Sequence, residues 1–439
     1  MEPGRWPYPV RIVVRIYSGC FALAAGIWFV IMCIRSLLSG RSLEGVWARF
    51  GRGASLSRAP KHAVWLHAVS AGEVAATAIM IPVLRASLGS DVPIVLSTAT
   101  HSGMQMAEKR LGQGVTLIHA PLDLPRVTRR FVARLEPALL AVAEIEIWPN
   151  LFRAAVQGGV PLMVYNARLP DRDWKRYSRF RWIFAPVLSG VRLIAAQSAE
   201  DASRYCDIGA ATDRVLVAGN IKNDQEFVTG KSLFPDFGHR PVILLASSHP
   251  GEEEMLLESV GRGGACLVIA PRHITRADRI AGMARRAGFS VALRSGWGDH
   301  ERMVTEDVMI LDTFGEMMQA AERACCVVMG GSFSKRVQGH NPMEAAASGR
   351  AVIMGPCMDN FRESRDALVA GGAAVVVSGQ IQLAGAIRHW LQHPGEAEAA
   401  GQRARAVLES LRGASRRTAE LMANLAYGRK KFDSCHRRG

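Results

Sequence analysis

The residues of this chain best suited to chemistry fall in short runs, each where an apolar stretch gives way to a polar one. His67-Ala68-Val69-Ser70-Ala71-Gly72-Glu73 ends the first β-rich run and opens a helical stretch, bringing backbone N–H groups and one carboxylate together. A carboxylate there either caps the helix dipole or serves as a general base. Ala143-Glu144-Ile145-Glu146-Ile147-Trp148 sets two acids two residues apart, so both point to one face of a strand end. Acids at a buried strand terminus need a partner or a task, and a structural ion pair with a nearby arginine is the plainer alternative. Gly219-Asn220-Ile221-Lys222 supplies a lysine just beyond the last strand of the first half. A lone loop lysine is ordinarily solvated; its place between two halves of the chain favours an anionic partner.

The second half repeats the pattern. Ser247-Ser248-His249 precedes Gly251-Glu252-Glu253-Glu254, where helix capping alone accounts for the serines and the acids. Pro271-Arg272-His273 ends a strand with a grip suited to phosphate or carboxylate. Asp312-Thr313-Phe314-Gly315-Glu316-Met317 makes a loop-to-helix turn whose N–H groups suit a base or ribose. Gly330-Gly331-Ser332 leads through a basic loop to His340-Asn341-Pro342-Met343-Glu344. That helix start offers N–H groups to phosphate and a carboxylate to ribose hydroxyls, unless it is an ordinary glycine-rich loop. No Cys/His cluster has metal-ligand spacing, and no dinucleotide fingerprint or P-loop follows any strand. Singly these runs are weak; recurring at strand ends in both halves, they indicate one ligand cleft.

Two wound halves are needed to position them. From residue 63, seven β-rich runs (63–67, 94–98, 115–120, 138–144, 161–167, 193–198 and 215–219) alternate with helical stretches such as Glu73–Arg85. After a polar linker at 221–240 the alternation resumes with runs at 241–248, 266–271, 290–295, 308–313, 325–331, 351–356 and 373–379. Buried runs alternating with helices predict parallel sheets covered on both faces, with ligands at the carboxyl ends of the strands. The expected division is therefore 1–50 anchor and basic juxtamembrane segment, 51–220 first domain, 221–240 linker, 241–425 second domain and 426–439 basic tail. The last helical stretch, near 396–425, has the option of packing back across the hinge.

Tyr17 to Ile34 is free of charge, with Arg11 and Arg15 before it and Arg35 and Arg41 after it. That length just reaches a membrane span, against a signal peptide or a buried surface helix as alternatives. The following segment, 41–53, is basic and amphipathic enough to lie on anionic headgroups. A formal charge of +15, from 54 Lys and Arg against 39 Asp and Glu, calls for an anionic partner. Eight cysteines without a paired pattern read mostly as buried, reduced thiols of a cytosolic body.

The ordered set of runs resembles the Kdo transferases of lipopolysaccharide assembly from about residue 41 to 425. Carrying the resemblance are Ser70-Ala71-Gly72-Glu73, Glu144 to Asn150, Asn166-Ala167-Arg168-Leu169 and Gly219 to Lys222. In the second half they are Ser248-His249, Gly251-Glu252-Glu253, Pro271 to His273, Asp312-Thr313, Gly315-Glu316, Gly330 to Ser332 and His340 to Glu344. The resemblance implies an α/β GT-B fold of two Rossmann-like domains with an interdomain cleft and an N-terminal membrane anchor helix. It also implies inverting transfer of Kdo from CMP-Kdo to a lipid A precursor (lipid IVA) without metal or cofactor. By the same likeness Glu73 is the general base, and Glu144 and Lys222 stabilise the transition state. Pro271, Arg272, His273, Phe314, Gly315, Glu316, Met317, Asn341, Pro342, Met343 and Glu344 bind CMP. The place implied is the bacterial inner membrane, with the catalytic domains on the cytoplasmic face and membrane lipids, not nucleic acid, as partners.

Four positions depart from the family pattern: His101 and Ser102 within Thr100-His101-Ser102-Gly103, where Thr-Pro-Thr-Gly is expected, Gln338 where glycine is usual, and Ala345 where proline is expected. They touch loop geometry and acceptor preference more than reaction type. The rival readings are another GT-B enzyme using a UDP-sugar on a lipid-linked glycan, and an inactive membrane-bound scaffold. The charge alone would suit a nucleic-acid binder, but no aromatic stacking platform accompanies it.

Overall fold

The computed structural model describes residues 7–39, 43–89, 91–112, 114–227, 234–297 and 303–428. Arg41, Cys435, the middle of the expected linker and the tail from 429 lie outside the described residues.

Each expected β-rich run forms a strand. In the first unit these are β1 (Val64–His67), β2 (Ile94–Thr98), β3 (Val115–His119), β4 (Leu139–Ala143), β5 (Leu162–Ala167), β6 (Leu193–Ala196) and β7 (Val215–Val217). Their spatial order is β3-β2-β1-β4-β5-β6-β7, all parallel. The second unit holds β8 (Val242–Ser248), β9 (Cys266–Pro271), β10 (Val291–Leu293), β11 (Val308–Ile310), β12 (Cys326–Met329), β13 (Ala351–Met354) and β14 (Ala374–Val376). Their order is β10-β11-β9-β8-β12-β13-β14, again parallel. Central strands are apolar on both faces because helices cover both faces, as in β1, β4 and β9, where every residue is buried. Strand order reverses between β1 and β4 in one sheet and between β8 and β12 in the other. Such reversals open a crevice at the carboxyl ends, where doubly wound sheets take their ligands.

The chain divides into one unit of Met1–Gln225 with Arg412–Gly439 and a second of Glu226–Leu411. The stretch read as one helix near 396–425 is two, Pro394–Leu411 and Ala414–Tyr427, broken at Gly413 with a left-handed φ of 92°. The second of these packs on the helix Ala71–Leu88 of the first unit, so residues 412–425 fall outside the second domain expected to end at 425. Asp224 fixes that return, its carboxylate accepting from the N–H groups of Gly413 (2.6 Å) and Ser415 (2.5 Å).

The N-terminal segment is a 32-residue helix, Tyr8–Ser39, long and apolar enough to cross a membrane. One stripe of it docks on the first unit. Val10, Val14 and Ala25 are buried, and Tyr17 Oη donates to Asp123 Oδ2 at 3.0 Å. Asn150 Nδ2 donates to Ser18 Oγ at 3.0 Å. Near the helix end Phe29 meets Trp47 and Phe50 edge-on, and the Arg49 guanidinium lies over Trp28. Ile12, Ile16, Leu23, Ile27, Val30, Ile31 and Ile34 form the exposed side. The segment expected to lie on headgroups is therefore partly tied down: Val46 and Ala48 are buried, and Arg130 Nη1 donates to the Phe50 carbonyl. The helix Ala71–Leu88 also has the hydropathy of a span, but it is a core helix covering the first sheet.

Most cysteines prove less buried than their apolar surroundings suggest. Only Cys266 and Cys326 are fully buried among the described seven, and Cys20 is exposed.

Candidate active site

In the first unit, the loop after β1 turns sharply into Ala71–Leu88. Ser70 caps that helix, its Oγ accepting from Glu73 N–H at 3.3 Å. The Glu73 carboxylate folds back, accepting from Val69 N–H at 2.8 Å and Ser70 Oγ at 2.7 Å. This is a capping arrangement, yet the carboxyl is buried rather than solvated. Burial pushes its pKa up to about 7; the bonds from Ser70 and Val69 oppose this, and the charges of Glu146 and Glu144 add to it. The cap fixes the position of the Glu73 side chain, and its burial leaves a carboxyl able to exchange a proton near neutrality, so the geometry accommodates the cap and base readings together.

Below it, Thr77 Oγ1 donates to the Glu73 carbonyl and meets Tyr165 Oη at 2.6 Å, locking the first helical turn to β5. Thr98 and Thr100 both donate through Oγ1 to the Val69 carbonyl at 3.1 Å. Gly103 is required beside them, since a Cβ there would stand 2.3 Å from Thr98 Oγ1. His101, the departure from the family pattern, is exposed and takes no part in this support.

Glu144 follows β4 with a left-handed φ of 52°, and Asn166 near the end of β5 has a φ of 49°. Non-glycine residues enter this region at a cost, and such strain gathers at functional sites. Glu144 Oε1 takes Lys222 Nζ at 2.8 Å, with Asn166 Nδ2 at 3.4 Å. Asn166 Oδ1 in turn accepts from Ile221 N–H, so it ties the lysine-bearing turn to the carboxylate. Tyr205 Oη donates to the Glu144 carbonyl at 2.8 Å and holds the strained backbone. Glu146, on the same turn, accepts from Trp148 Nε1 at 2.6 Å. Glu73, Glu144 and Lys222 are thus gathered at the carboxyl edge of one sheet, across its reversal point.

In the second unit, β8 carries a bulge at Ser247, where φ is 57° and the register with β9 shifts. Gly330, after β12, sits against it: a Cβ there would meet the Ser247 carbonyl oxygen at 2.3 Å. Glu252 binds the two strand ends together, accepting from the N–H groups of His249 (2.9 Å) and Gly331 (2.8 Å). Buried Glu253 pairs with Arg276 at 2.8 Å and accepts from Ser248 Oγ. Two of the three acids read as a capping run, Glu252 and Glu253, are therefore internal braces of the loop, while Glu254 is exposed on the first turn of the helix. Above them His249 and His340 stack, with their Nε2 atoms 2.9 Å apart. Burial, then His249, Arg272 and His273, pull the His340 pKa down to about 4, so it is neutral near pH 7. Arg272 and His273 are exposed beside this pair and free to face an anion.

The remaining residues expected at the nucleotide divide between the surface and the core. Phe314 is 85% exposed, and Gly315 takes φ 85°. Glu316 is turned inward, bonded by Arg294 Nε (3.0 Å) and Nη2 (2.7 Å) and by Thr313 Oγ1; Met317 packs on the core. Asn341 Oδ1 accepts from Met343 N–H at 3.1 Å, in a turn that leads into the short helix Met343–Ala347. Pro342 and Met343 are buried, while Glu344 is half-buried with its pKa raised by desolvation. Pro271 is buried at the end of β9. The turn 314–317 and helix start 341–344 thus offer backbone and Glu344, with the Glu316 side chain committed to the fold. Sequence reasoning passed over Asn166, His340, Asp123 and Tyr17 as working residues. Asn166 and His340 stood inside noted runs; Tyr17 was a polar mark at the edge of an apolar segment.

Two parallel doubly wound units, each with its polar residues at its own reversal point, define the GT-B fold. A solved glycosyltransferase from Rickettsia africae ESF-5 shares this fold with a TM-score of 0.56 at 12% identity, over 84% of this chain and 99% of that one. Acinetobacter baumannii MurG does so at 0.53 and 11% identity, over 83% and 99%. Residues 44–225 match the family model of 3-deoxy-D-manno-octulosonic-acid transferase (kdotransferase). The 3-deoxy-D-manno-octulosonic acid transferase of Bordetella pertussis is 35% identical over 407 residues, covering 87% of this chain and 93% of that protein. That of Haemophilus influenzae is 30% identical over 415 residues, covering 90% and 95%. The chain belongs to the 3-deoxy-D-manno-octulosonic acid (Kdo) transferase family.

Proposed function

We propose that this enzyme transfers Kdo from CMP-Kdo to a lipid A precursor, with inversion and without a covalent intermediate. The observation that carries the mechanism is the buried Glu73 carboxylate, fixed by Ser70 and Val69 and with a pKa near 7, beside the Glu144–Lys222 pair. Glu73 takes the proton from an acceptor hydroxyl as its oxygen bonds to the anomeric carbon of Kdo. The bond from that carbon to the CMP phosphate oxygen breaks, and its electron pair leaves with the phosphate. Lys222 and Glu144 steady the charge of the transition state, and Arg272 with His273 holds the phosphate that becomes more negative. The nucleoside is held by the turn Phe314–Met317 and by Asn341 to Glu344, with Glu344 on the ribose. No step needs a metal, since side chains of the right charge are at hand.

In this reading the first unit binds acceptor and the second binds donor. The helix Tyr8–Ser39 keeps the enzyme at the bacterial inner membrane, where its lipid acceptor resides, with both units on the cytoplasmic face. The test is a transfer assay with purified protein, CMP-Kdo generated in place and a tetra-acylated lipid A precursor, products being read by mass spectrometry. Addition of one or more Kdo masses supports the reading and counts the transfers. No addition beside a working control enzyme would move the acceptor assignment elsewhere.

A further inference from the structure

The first unit contains a cavity of about 370 Å³ that the proposed mechanism does not use. Its walls come from the N-terminal helix (Tyr17, Phe21), the turn after β4 (Glu146, Trp148) and the helix Asp171–Arg179 (Arg176, Tyr177). The helix that has the composition of an anchor is therefore also a wall of a pocket.

The wall is built, not incidental. Asp123 is 1% exposed, and its carboxylate accepts from Tyr17 Oη (3.0 Å) and from the N–H groups of Asn150 (3.2 Å) and Leu151 (2.8 Å). Those N–H groups start the helix Pro149–Gln157, which directly follows the Glu144–Trp148 turn. Asn150 Nδ2 also reaches the Asp123 carbonyl at 2.7 Å, besides Ser18. One buried carboxylate thus fixes the N-terminal helix and the turn bearing Glu146 in mutual register. Glu146 borders the cavity and is also near enough to Glu73 for its charge to act on that carboxyl.

The lining combines four aromatic rings with carboxylates of Glu146 and Asp173 and the guanidinium of Arg176, the last two paired at 3.0 Å. Aromatic faces set among acceptors and donors suit a sugar ring, whose C–H faces stack while its hydroxyls hydrogen-bond. An acyl chain would leave these polar groups without partners, at a cost. The volume is at the small end of ligand pockets and fits a single hexose unit.

We propose that this cavity is a subsite for a sugar ring of the acceptor, with Tyr17 and Phe21 of the N-terminal helix forming one wall. The inference rests on the reading of the first unit as the acceptor-binding half. It gives the helix a part in substrate selection distinct from membrane attachment.

The test uses the full chain in detergent micelles, with Phe21→Ala and Tyr17→Phe compared with Ile16→Ala on the exposed side of the same helix. KM for acceptor is measured with acylated and acyl-free acceptor, KM for CMP-Kdo is measured beside it, and thermal melts check the fold. Phe21→Ala should raise acceptor KM about tenfold on both acceptors, leaving the CMP-Kdo KM and melting midpoint as in wild type. Tyr17→Phe should shift acceptor KM in the same direction by less, and Ile16→Ala should match wild type. Equal behaviour of Phe21→Ala and Ile16→Ala, or a rise confined to the acylated acceptor, overturns the proposal. Saturation-transfer NMR with the acyl-free acceptor gives a readout independent of turnover. Signal in wild type that Phe21→Ala loses supports the subsite even where no Kdo is transferred; signal equal in both, or none in wild type, removes it.

Discussion

Lys222 Nζ stands 2.8 Å from Glu144 Oε1, joining the turn after β7 to the strained residue that ends β4. Both side chains are largely covered, at 29% and 16% exposure, so neither charge is well solvated without the other. Removing one leaves the other poorly compensated. We expect Lys222→Ala and Glu144→Gln each to lower kcat by about a hundredfold or more. The double variant should lose much less than the product of the two. A double-mutant cycle on kcat at saturating donor checks this, and simple multiplication of the losses would show that the pair does not act as a unit.

Glu73 predicts a pH profile. Its folded pKa is raised from 4.5 to about 7, chiefly by burial, and the reactive form is the carboxylate. Activity should therefore rise about tenfold per pH unit up to about 7 and level off above it. The stability sign is opposite: a raised carboxyl pKa favours the protonated folded form, so this group weakens folding as pH rises from 4.5 through about 7. Glu73→Gln should abolish transfer, keep CMP binding and melt higher than wild type at pH 8. A substantial residual rate would remove Glu73 from the role of base.

Arg272 is exposed at the end of β9 beside the stacked His249 and His340. His340 stays neutral down to about pH 4 and so adds no positive charge beside this arginine near pH 7. Arg272→Ala should raise the CMP-Kdo KM by about tenfold or more while acceptor KM holds. Initial rates across donor concentrations measure it, and an unchanged donor KM would place the phosphate elsewhere.

Glu316 and Arg294 form a buried pair at 10% and 6% exposure. Glu316→Ala takes the carboxylate away from the buried Arg294 guanidinium, at an expected cost of about 3 kcal/mol to the second unit. Thermal unfolding should show a lower midpoint, with Arg294→Met/Glu316→Leu recovering part of it. Loss of CMP affinity with no loss of stability would mean that the carboxylate serves the ligand after all.

Gln338 holds φ 61° in the loop before His340, a backbone setting that favours glycine. Gln338→Gly relieves a strain of about 1–2 kcal/mol and adds back about 0.5–1 kcal/mol of chain freedom. A small gain in melting temperature should result, absent from Gln338→Ala. A lower midpoint for the glycine variant would show that the Gln338 side chain holds the loop.

The sheets were legible because both faces of each central strand are covered, which leaves unbroken apolar runs such as Leu139–Ala143. The gathering of Glu73, Glu144 and Lys222 was legible too, since strand ends in a parallel sheet share one edge. The bulges were not. Left-handed backbone at Glu144 and Ser247 occurs without glycine, so nothing in those residue types announces it, and Asn166 offers only the general tolerance of asparagine for positive φ. Only Gln338 showed, by standing where a glycine is usual. Glu316 looked like a ligand because its partner Arg294 lies 22 residues away, in a short turn with no pattern of its own. The face of the N-terminal helix that docks was hidden because the segment is apolar all round.

That docking has a mechanical consequence. A body hung from its anchor by a loose tether tumbles and visits many heights above a surface. Here the stripe from Val10 to Phe29 is clamped along the first unit, leaving the opposite stripe from Ile12 to Ile34 bare. Under the proposed membrane attachment, that bare stripe would sit in lipid and the first unit would move with its helix as a skid moves with its runner, at one height and one tilt. Meeting the proposed lipid acceptor would then become a search in two dimensions with the orientation already set, leaving lateral drift and rotation about the membrane normal to chance.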